Sequence, residues 1–332
     1  MDPSTETRPK IRVRFRAESE PKWPDHGRLR LFIDGPLGLS SMVFLWLAEH
    51  LTAAELESRG ETHHLANRIE LPGVGAEFQL LPWPDTVPEG LCLLQEYFTM
   101  PAKLLYVDIP GFGDLPEDAV GENFDVVFHF RDPPTLPERL TSDLFQPHCA
   151  PVVNLFEADA APIKQSSKVH EYLLRALTRD PHHTEIYGVN SVTGVDQRGS
   201  RRITFAPFFA FAHLTKARNE QRYYSVRRDR SPLDNAIDTY LSILTPSDVP
   251  PDLEERVLSL ELTCTNRQLP AELRPGDISQ PAPGSPTVAR FRNITRVTRP
   301  TRPPIGSEKH WRLVSHMALN TRSLAHADVL SS

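Results

Sequence analysis

The stretch PEGLCLLQEYFTMPAKLLYVDI, residues 88–109, decides much of the fold. Pro88 suits the first turn of a helix, and Glu89 lies where the helix dipole favours a negative charge. Pro101 disfavours helical geometry at the residue before it. The stretch therefore predicts a helix that stops before Pro101 and is followed by a buried strand over 104–109.

The predicted helix is almost wholly apolar. Its two apolar stripes consist of Leu91, Leu94 and Phe98, and of Leu93, Tyr97 and Met100. Only Gln95 and Glu96 leave a narrow polar strip. Because so apolar a helix must be covered nearly all round, we expect other elements, either of this chain or of a partner, to pack against it. None of its groups is placed for chemistry.

Composition favours a β-rich fold. The chain has 332 residues, enough for two domains or one large one. Its 32 prolines are roughly twice the usual share. Prolines spread among apolar runs indicate many short elements joined by rigid turns. The expected class is α+β and β-rich, with several short strands in mixed or antiparallel sheets or sandwich-like modules and a few buried helices.

Charge and cysteine usage limit the possible environments. A net charge of -6 argues against a nucleic-acid partner. Three widely spaced cysteines fit a reducing compartment and form no CxxC pattern. The sequence contains neither a secretory signal nor the ~20 apolar residues of a bilayer span. These features predict a cytoplasmic protein that does not insert into a membrane.

Periodicity predicts the individual strands. Residues 10–17 alternate apolar and basic side chains, which indicates a strand with one basic face. A strand over 29–33 ends at a turn over 34–36, and a helix is predicted over 39–51. Further strands are predicted over 65–71, 76–81, 124–131, 151–156, 184–193, 202–213, 221–227, 237–244, 256–264 and 287–298.

The predicted domain organisation has four parts. They are a disordered start over 1–9, a mixed α/β module over 10–165, a β-rich module over 166–324 and a tail over 325–332. The β-rich module includes a Pro-rich arm at 270–286, which holds five prolines, and at 299–304, where we expect extended, polyproline-like geometry. A terminal helix over 311–324 closes it.

No pattern of reactive residues predicts catalysis. Neighbouring histidines at 63–64 and 182–183 point in different directions on a strand or a helix and rarely share a metal, so surface positions are favoured over a metal site. Cys149 follows His148, but adjacency in sequence is not the spatial pairing that a thiol nucleophile needs. We therefore predict no catalytic, metal or cofactor-binding residue and no cofactor.

The densest basic stretch is a candidate contact surface. It contains Arg290, Arg292, Arg296, Arg299 and Arg302. The stretch is either a solvated face and linker, or a protein contact that uses the bidentate geometry of arginine. If it is a contact, the candidate interface residues are Arg299, Arg302 and Trp311, because the Pro-rich arm presents them on extended chain.

Eight blocks of sequence, in order, resemble the TssF family, also called VasA or ImpG, of bacterial type VI secretion baseplates. The blocks are LLQEYFTMPAKLLYVDI from Leu93, CAPVVNLFEADAAPI from Cys149, HEYLL from His170, EIYGVNSVTGV from Glu185, FAPFFAF from Phe205, RYYSVRRD from Arg222, LTCTNRQLPAELRPGD from Leu262 and TRPTRPPIGSEKHWRLVSHMALNTRSL from Thr298. Because family members extend beyond both ends of this sequence, it resembles the middle and later part of a longer member.

The resemblance implies a structural role without enzymatic activity. TssF-like proteins pair with TssG in a baseplate wedge that also includes TssE and TssK, and the wedges support the spike and the sheath. A hetero-oligomer with more than one copy per wedge, on the cytoplasmic side of the bacterial inner membrane, is therefore expected. The alternatives are a stand-alone β-rich binding module, for example for glycans, and a metal- or thiol-dependent enzyme.

Overall fold

The computed structural model describes two compact units. The described residues are 9–17, 27–83, 87–116, 118–131, 140–166, 168–196, 202–208, 222–234, 236–244, 256–282, 290–303, 305, 310–311 and 315. Those up to Val153 form the first unit, and those from Asn154 form the second. Both are dominated by strands, and the predicted β-rich class with a few helices is confirmed.

The first unit contains two antiparallel sheets and two α-helices. Its elements are β1 (Lys10–Arg16), β2 (Leu29–Ile33), α1 (Leu37–Leu45, continued as a π-helix over Trp46–His50), β3 (Leu51–Ser58), β4 (Glu61–Ala66), α2 (Glu89–Thr99), β5 (Tyr106–Ile109), β6 (Asn123–Phe130) and β7 (Phe145–Pro147). One sheet has the order β1-β6-β3-β4, and the other has the order β5-β2-β7.

The predicted first strand is confirmed, with its two faces as the alternation indicates. Ile11 and Val13 are buried, whereas Arg12 and Arg14 point away from the core. Asp125 on the neighbouring strand β6 accepts hydrogen bonds from both arginines, at 2.9 Å from each. Two of the four basic residues of β1 are therefore paired with a carboxylate within the sheet.

The second unit is built on one large sheet. Its strands are β8 (Phe156–Asp159), β9 (Ile163–Lys164), β10 (Tyr172–Leu173), β11 (Glu185–Asp196), β12 (Arg202–Pro207), β13 (Arg222–Arg230), β14 (Ile237–Leu244) and β15 (Arg256–Thr265). The order is β10-β14-β13-β12-β11-β15-β8, and β9 also pairs with β15. Every pair is antiparallel except β12 with β13.

Strand β15 supplies much of the core of this unit. Four of its side chains, at alternate positions, are 0–1% exposed, and Ser259 and Glu261 between them are exposed; the four are Leu258, Leu260, Leu262 and Cys264. Such strict alternation is typical of an antiparallel strand with one buried face. The predictions for 184–193, 237–244 and 256–264 are confirmed within a few residues.

Several local predictions are wrong. In the strand predicted over 65–71, only Leu65 and Ala66, at the end of β4, and an isolated bridge at Glu70 are paired. The strand predicted over 76–81 does not form, and short 3-10 helices occupy Pro72–Val74 and Ala76–Phe78. Proline at position 72 cannot donate to a strand ladder, which favours the turn. Residues 151–155 precede β8 without forming a strand, and strand β3, at the end of the predicted helix over 39–51, was not predicted.

Other predictions need correction at one boundary or lie outside the described residues. The strand predicted over 104–109 begins only at Tyr106, because Pro101–Leu105 form a 3-10 helix. The described part of the segment predicted as strand over 287–298 forms none. The disordered start, the tail and most of the predicted terminal helix fall outside the described residues, so those predictions stay untested.

Candidate partner-binding surfaces

Helix α2 is attached to its unit through an ion pair. The helix ends as predicted, since Met100 adopts φ -147° and ψ 76° before Pro101. The following 3-10 turn brings Lys103 beneath the helix, where its Nζ atom donates to Oε2 of Glu96. Both side chains are almost fully buried, with 3% and 1% of their surfaces exposed. Of the two residues of the polar strip, Glu96 therefore faces inward, whereas Gln95 is exposed.

The second oxygen of the Glu96 carboxylate joins another segment to α2. Oε1 accepts hydrogen bonds from the backbone nitrogens of Leu80 and Leu81, each at 2.9 Å. The Trp83 indole nitrogen lies 3.4 Å from the same oxygen. Burial alone would raise the pKa of Glu96, but the bonds from Lys103 and the two amides outweigh it and lower that pKa. The carboxylate is thus held ionised in the interior.

This attachment leaves aromatic side chains of α2 in solvent. Phe98 is 76% exposed and Tyr97 is 45% exposed, with their ring centroids 5.3 Å apart. Leu94, one turn before Phe98, is only half-buried. We call these three residues the α2 ridge. The described residues of this chain leave the α2 ridge uncovered, so the expectation that the helix is covered nearly all round stays a prediction about a partner.

The strand after α2 is fixed by a second buried carboxylate. Asp108 of β5 is fully buried and receives a bidentate bond from Arg30 of β2, with both distances 2.7 Å. Its backbone exchanges hydrogen bonds with Glu70 at 2.9 and 3.0 Å. The helix, turn and strand therefore form a rigid support under the α2 ridge.

The predicted interface residues lie on exposed chain. Arg299 and Arg302 are exposed, and Trp311 is 75% exposed. The first two belong to residues 290–303, which we call the arginine segment. The structure gives no partner for these three residues, so their role in an interface stays a prediction.

The arginine segment is attached through Asn293. The Asn293 side-chain oxygen accepts from the backbone nitrogens of Gly276 at 3.1 Å and Ile278 at 2.9 Å. Its amide nitrogen donates to the carbonyls of Arg274 and Thr295, each at 3.0 Å. These bonds tie the segment to a turn in which Gly276 has φ +94°, a conformation that glycine adopts without strain. The sequence analysis did not single out Asn293, because no sequence pattern relates it to residues 274–278.

Thiols and histidines of the described chain form no reactive group. Burial, aided by Asp34, raises the pKa of Cys149, and burial raises that of Cys264 as well. Neither thiol is therefore activated as a thiolate. No cluster of three metal-ligating side chains occurs among the described residues. Within the same residues, no helix is both long and apolar enough to cross a bilayer.

Known proteins share both the sequence and the fold. The family model for the type VI secretion system protein TssF matches residues 1–331. The type VI secretion system component TssF1 of Pseudomonas aeruginosa is 27% identical over 272 residues, which cover 76% of this chain and 43% of that protein. A chain in the cryo-electron microscopy structure of a type VI secretion system TssK-TssF-TssG baseplate subcomplex has a similar fold, with a TM-score of 0.74 and 27% sequence identity to this chain. The superposed region covers 98% of this chain and 61% of the solved one.

These matches fix the family and the extent of the similarity. The chain spans less than half the length of the curated relative and about three fifths of the solved one. The family model covers almost every residue of the chain. The chain belongs to the TssF family of type VI secretion system proteins.

Proposed function

We propose that the chain is a non-catalytic structural subunit of the type VI secretion baseplate and that it pairs directly with a TssG-like subunit. The observation that carries this proposal is the fold shared, over nearly the whole chain, with a component of the TssK-TssF-TssG subcomplex. The raised thiol pKa values and the buried, fully engaged carboxylates support a scaffold rather than an enzyme.

The proposal extends to the rest of the assembly. TssK- and TssE-like subunits complete the wedge, which holds more than one copy of the chain and supports the spike and the sheath. The wedge assembles in the cytoplasm, against the inner membrane. Rigid strands and buried ion pairs suit a part that must keep its shape when a contractile machine acts on it.

We infer that partners contact two surfaces, one on each compact unit. One is the α2 ridge, whose exposed aromatic rings resemble the anchors of protein interfaces. The other consists of Arg299, Arg302 and Trp311. Arginine and tryptophan are the side chains most enriched where interfaces are strongest.

Co-expression tests the pairing. The full chain and a TssG-like subunit from the same genome should elute together in gel filtration, and the pair should be more soluble than the chain alone, because its exposed apolar surface becomes covered. A monodisperse chain that elutes apart from the TssG-like subunit would refute the pairing.

Charge reversal tests the second surface. Arg299→Glu with Arg302→Glu should weaken the co-purified complex about tenfold while the melting temperature of the chain stays unchanged, since both side chains are exposed. The matched control is Arg175→Glu with Arg179→Glu, two exposed arginines elsewhere on the second unit. If both double variants weaken the complex equally, Arg299 and Arg302 are not part of the interface.

A further inference from the structure

The charge distribution along the chain is strongly uneven near the arginine segment. Residues 278–307 contain five arginines and no Lys, His, Asp or Glu. The segment thus carries five of the 37 basic residues and none of the 43 acidic ones, in a chain whose net charge is -6. An exposed stretch with one sign of charge in an acidic protein is a candidate for recognition by an oppositely charged partner.

Several arginines elsewhere among the described residues are paired with carboxylates. Arg30 grips Asp108 with two bonds of 2.7 Å, and Arg227 grips Glu171 with bonds of 3.0 and 2.8 Å. The five arginines of the segment are all exposed, and no carboxylate of the described residues lies within ion-pair distance of them. They are Arg290, Arg292, Arg296, Arg299 and Arg302. Their guanidinium groups are available to a partner.

The segment is anchored before any partner binds. Three of the four bonds of the Asn293 side chain, described above, fix it to the turn around Gly276, and the Gly276 nitrogen also donates to the Asn293 carbonyl at 2.8 Å. The fourth bond goes to the Thr295 carbonyl within the segment. These bonds fix the backbone at residues 293–295, directly before Arg296, without any partner. Such preorganisation lowers the entropy that binding would otherwise cost.

The spacing of the last three arginines suits a ladder. Arg296, Arg299 and Arg302 recur at every third residue, and Pro300 and Pro303 favour polyproline geometry between and after them. A polyproline helix has three residues per turn and rises about 3.1 Å per residue. In that geometry, side chains three residues apart lie along one edge, about 9 Å from one another. We call these three arginines the arginine ladder.

We propose that the arginine ladder binds an acidic segment of a protein partner, with each guanidinium group taking one carboxylate. Arginine without lysine favours the planar, bidentate recognition of carboxylates, whereas lysine would serve as a point charge. The chain's acidic balance and the lack of aromatics between the ladder positions disfavour nucleic acid. This inference rests on the proposed function and names the chemistry of the partner surface that Arg299 and Arg302 meet.

A synthetic peptide supplies the test. A fluorescent peptide of repeated Glu-Pro-Pro places its carboxylates at the same three-residue spacing. We expect it to bind the full chain at low salt, measured by fluorescence anisotropy, and to bind roughly tenfold more weakly when Arg296, Arg299 and Arg302 are all changed to Glu. Affinity should also fall as salt rises, because exposed ion pairs are screened.

Two controls make the result specific. The Arg175→Glu, Arg179→Glu variant should bind the peptide like the unaltered chain. Oligothymidylate and phosphatidylserine vesicles should bind more weakly than the peptide. The proposal is overturned if the peptide does not bind at low salt. It is also overturned if oligothymidylate or the vesicles bind the chain as tightly as the peptide does and lose as much affinity as the peptide when the three ladder arginines are changed to Glu.

The peptide assay is separable from the co-expression test. Failure of the peptide together with a normal complex between the chain and the TssG-like subunit would refute the ladder and leave the proposed pairing intact. Peptide binding without any such complex would refute the pairing and keep the ladder.

Discussion

Helix α2 and strand β15 place their polar and apolar side chains in opposite ways. In β15 the leucines are buried and the polar residues between them face solvent. In α2 the charged Glu96 is buried, whereas Phe98 is 76% exposed. Strand β15 is built for the chain's own core. Helix α2 combines an internal ionic attachment with an apolar outer surface that suits a partner.

The difference shows where local periodicity predicts packing and where it does not. An alternating strand in an antiparallel sheet has one core-facing side, and two-residue periodicity identifies it. A mostly apolar helix has no unique inner face, so a single buried charge can decide its orientation. In α2 this charge is Glu96, because Lys103 and two backbone amides meet it.

Removing the cation beneath α2 should have the largest effect. Lys103→Met leaves Glu96 ionised and without its counter-charge, so we expect the free energy of unfolding to fall by about 3–5 kcal/mol in urea titration. Combining it with Glu96→Gln removes the buried charge and should restore part of the loss. A double variant as unstable as the sum of both single variants would show that the two side chains are not coupled.

Truncating the core strand should come next. Leu260→Ala on β15 should lower the free energy of unfolding by about 2–5 kcal/mol, because it opens a cavity at a site that is 1% exposed. Its neighbour Ser259 is exposed, so Ser259→Ala should change the same quantity by about 0.5 kcal/mol or less. Similar losses for both would mean that β15 does not have one buried face.

Acid should weaken α2 more than β15. The lowered pKa of Glu96 means that its ionised form stabilises the folded state above about pH 4.3, the ordinary Glu value, and that this stabilisation is lost as the pH falls through the folded-state pKa. The stability difference between the unaltered chain and Glu96→Gln should therefore narrow in acid, measured by urea titration across pH. If this stability difference does not change with pH, Glu96 is not ionised in the folded chain.

The smallest expected effect is at the α2 ridge. Phe98→Ala should change the free energy of unfolding by about 0.5 kcal/mol or less, because the ring is mostly in solvent. Phe128→Ala, at a position with no exposed surface, is the matched control and should cost about 3–5 kcal/mol. A large loss at Phe98 would show that the chain itself buries this ring.

The sequence was sufficient for the regular strands and the family. The alternation in 10–17 and 256–264 fixed both the strands and their inner faces, and the proline stop at Pro101 was identified correctly. The inward orientation of Glu96 could not be predicted, because its partner Lys103 lies beyond that stop and the amides of Leu80 and Leu81 come from another segment. No helical periodicity relates these groups.

Short turns and candidate contacts were harder. The runs at 65–71 and 76–81 contain enough apolar residues for strands, but Pro72 and the following turns divert the backbone. Arg299, Arg302 and Trp311 lie on exposed chain, yet exposure is what both a solvated linker and an interface would show. Their role is decided only by a partner.

Hydroxyl-radical footprinting of the full chain, alone and co-purified with a TssG-like subunit, tests the central claim most directly. It reports the solvent exposure of each aromatic or large aliphatic side chain by mass spectrometry. The account predicts that Phe98 and Trp311 lose reactivity in the complex, while Leu233, which is 89% exposed and outside both surfaces, does not. Unchanged reactivity of Phe98 and Trp311 in a stable complex would contradict it.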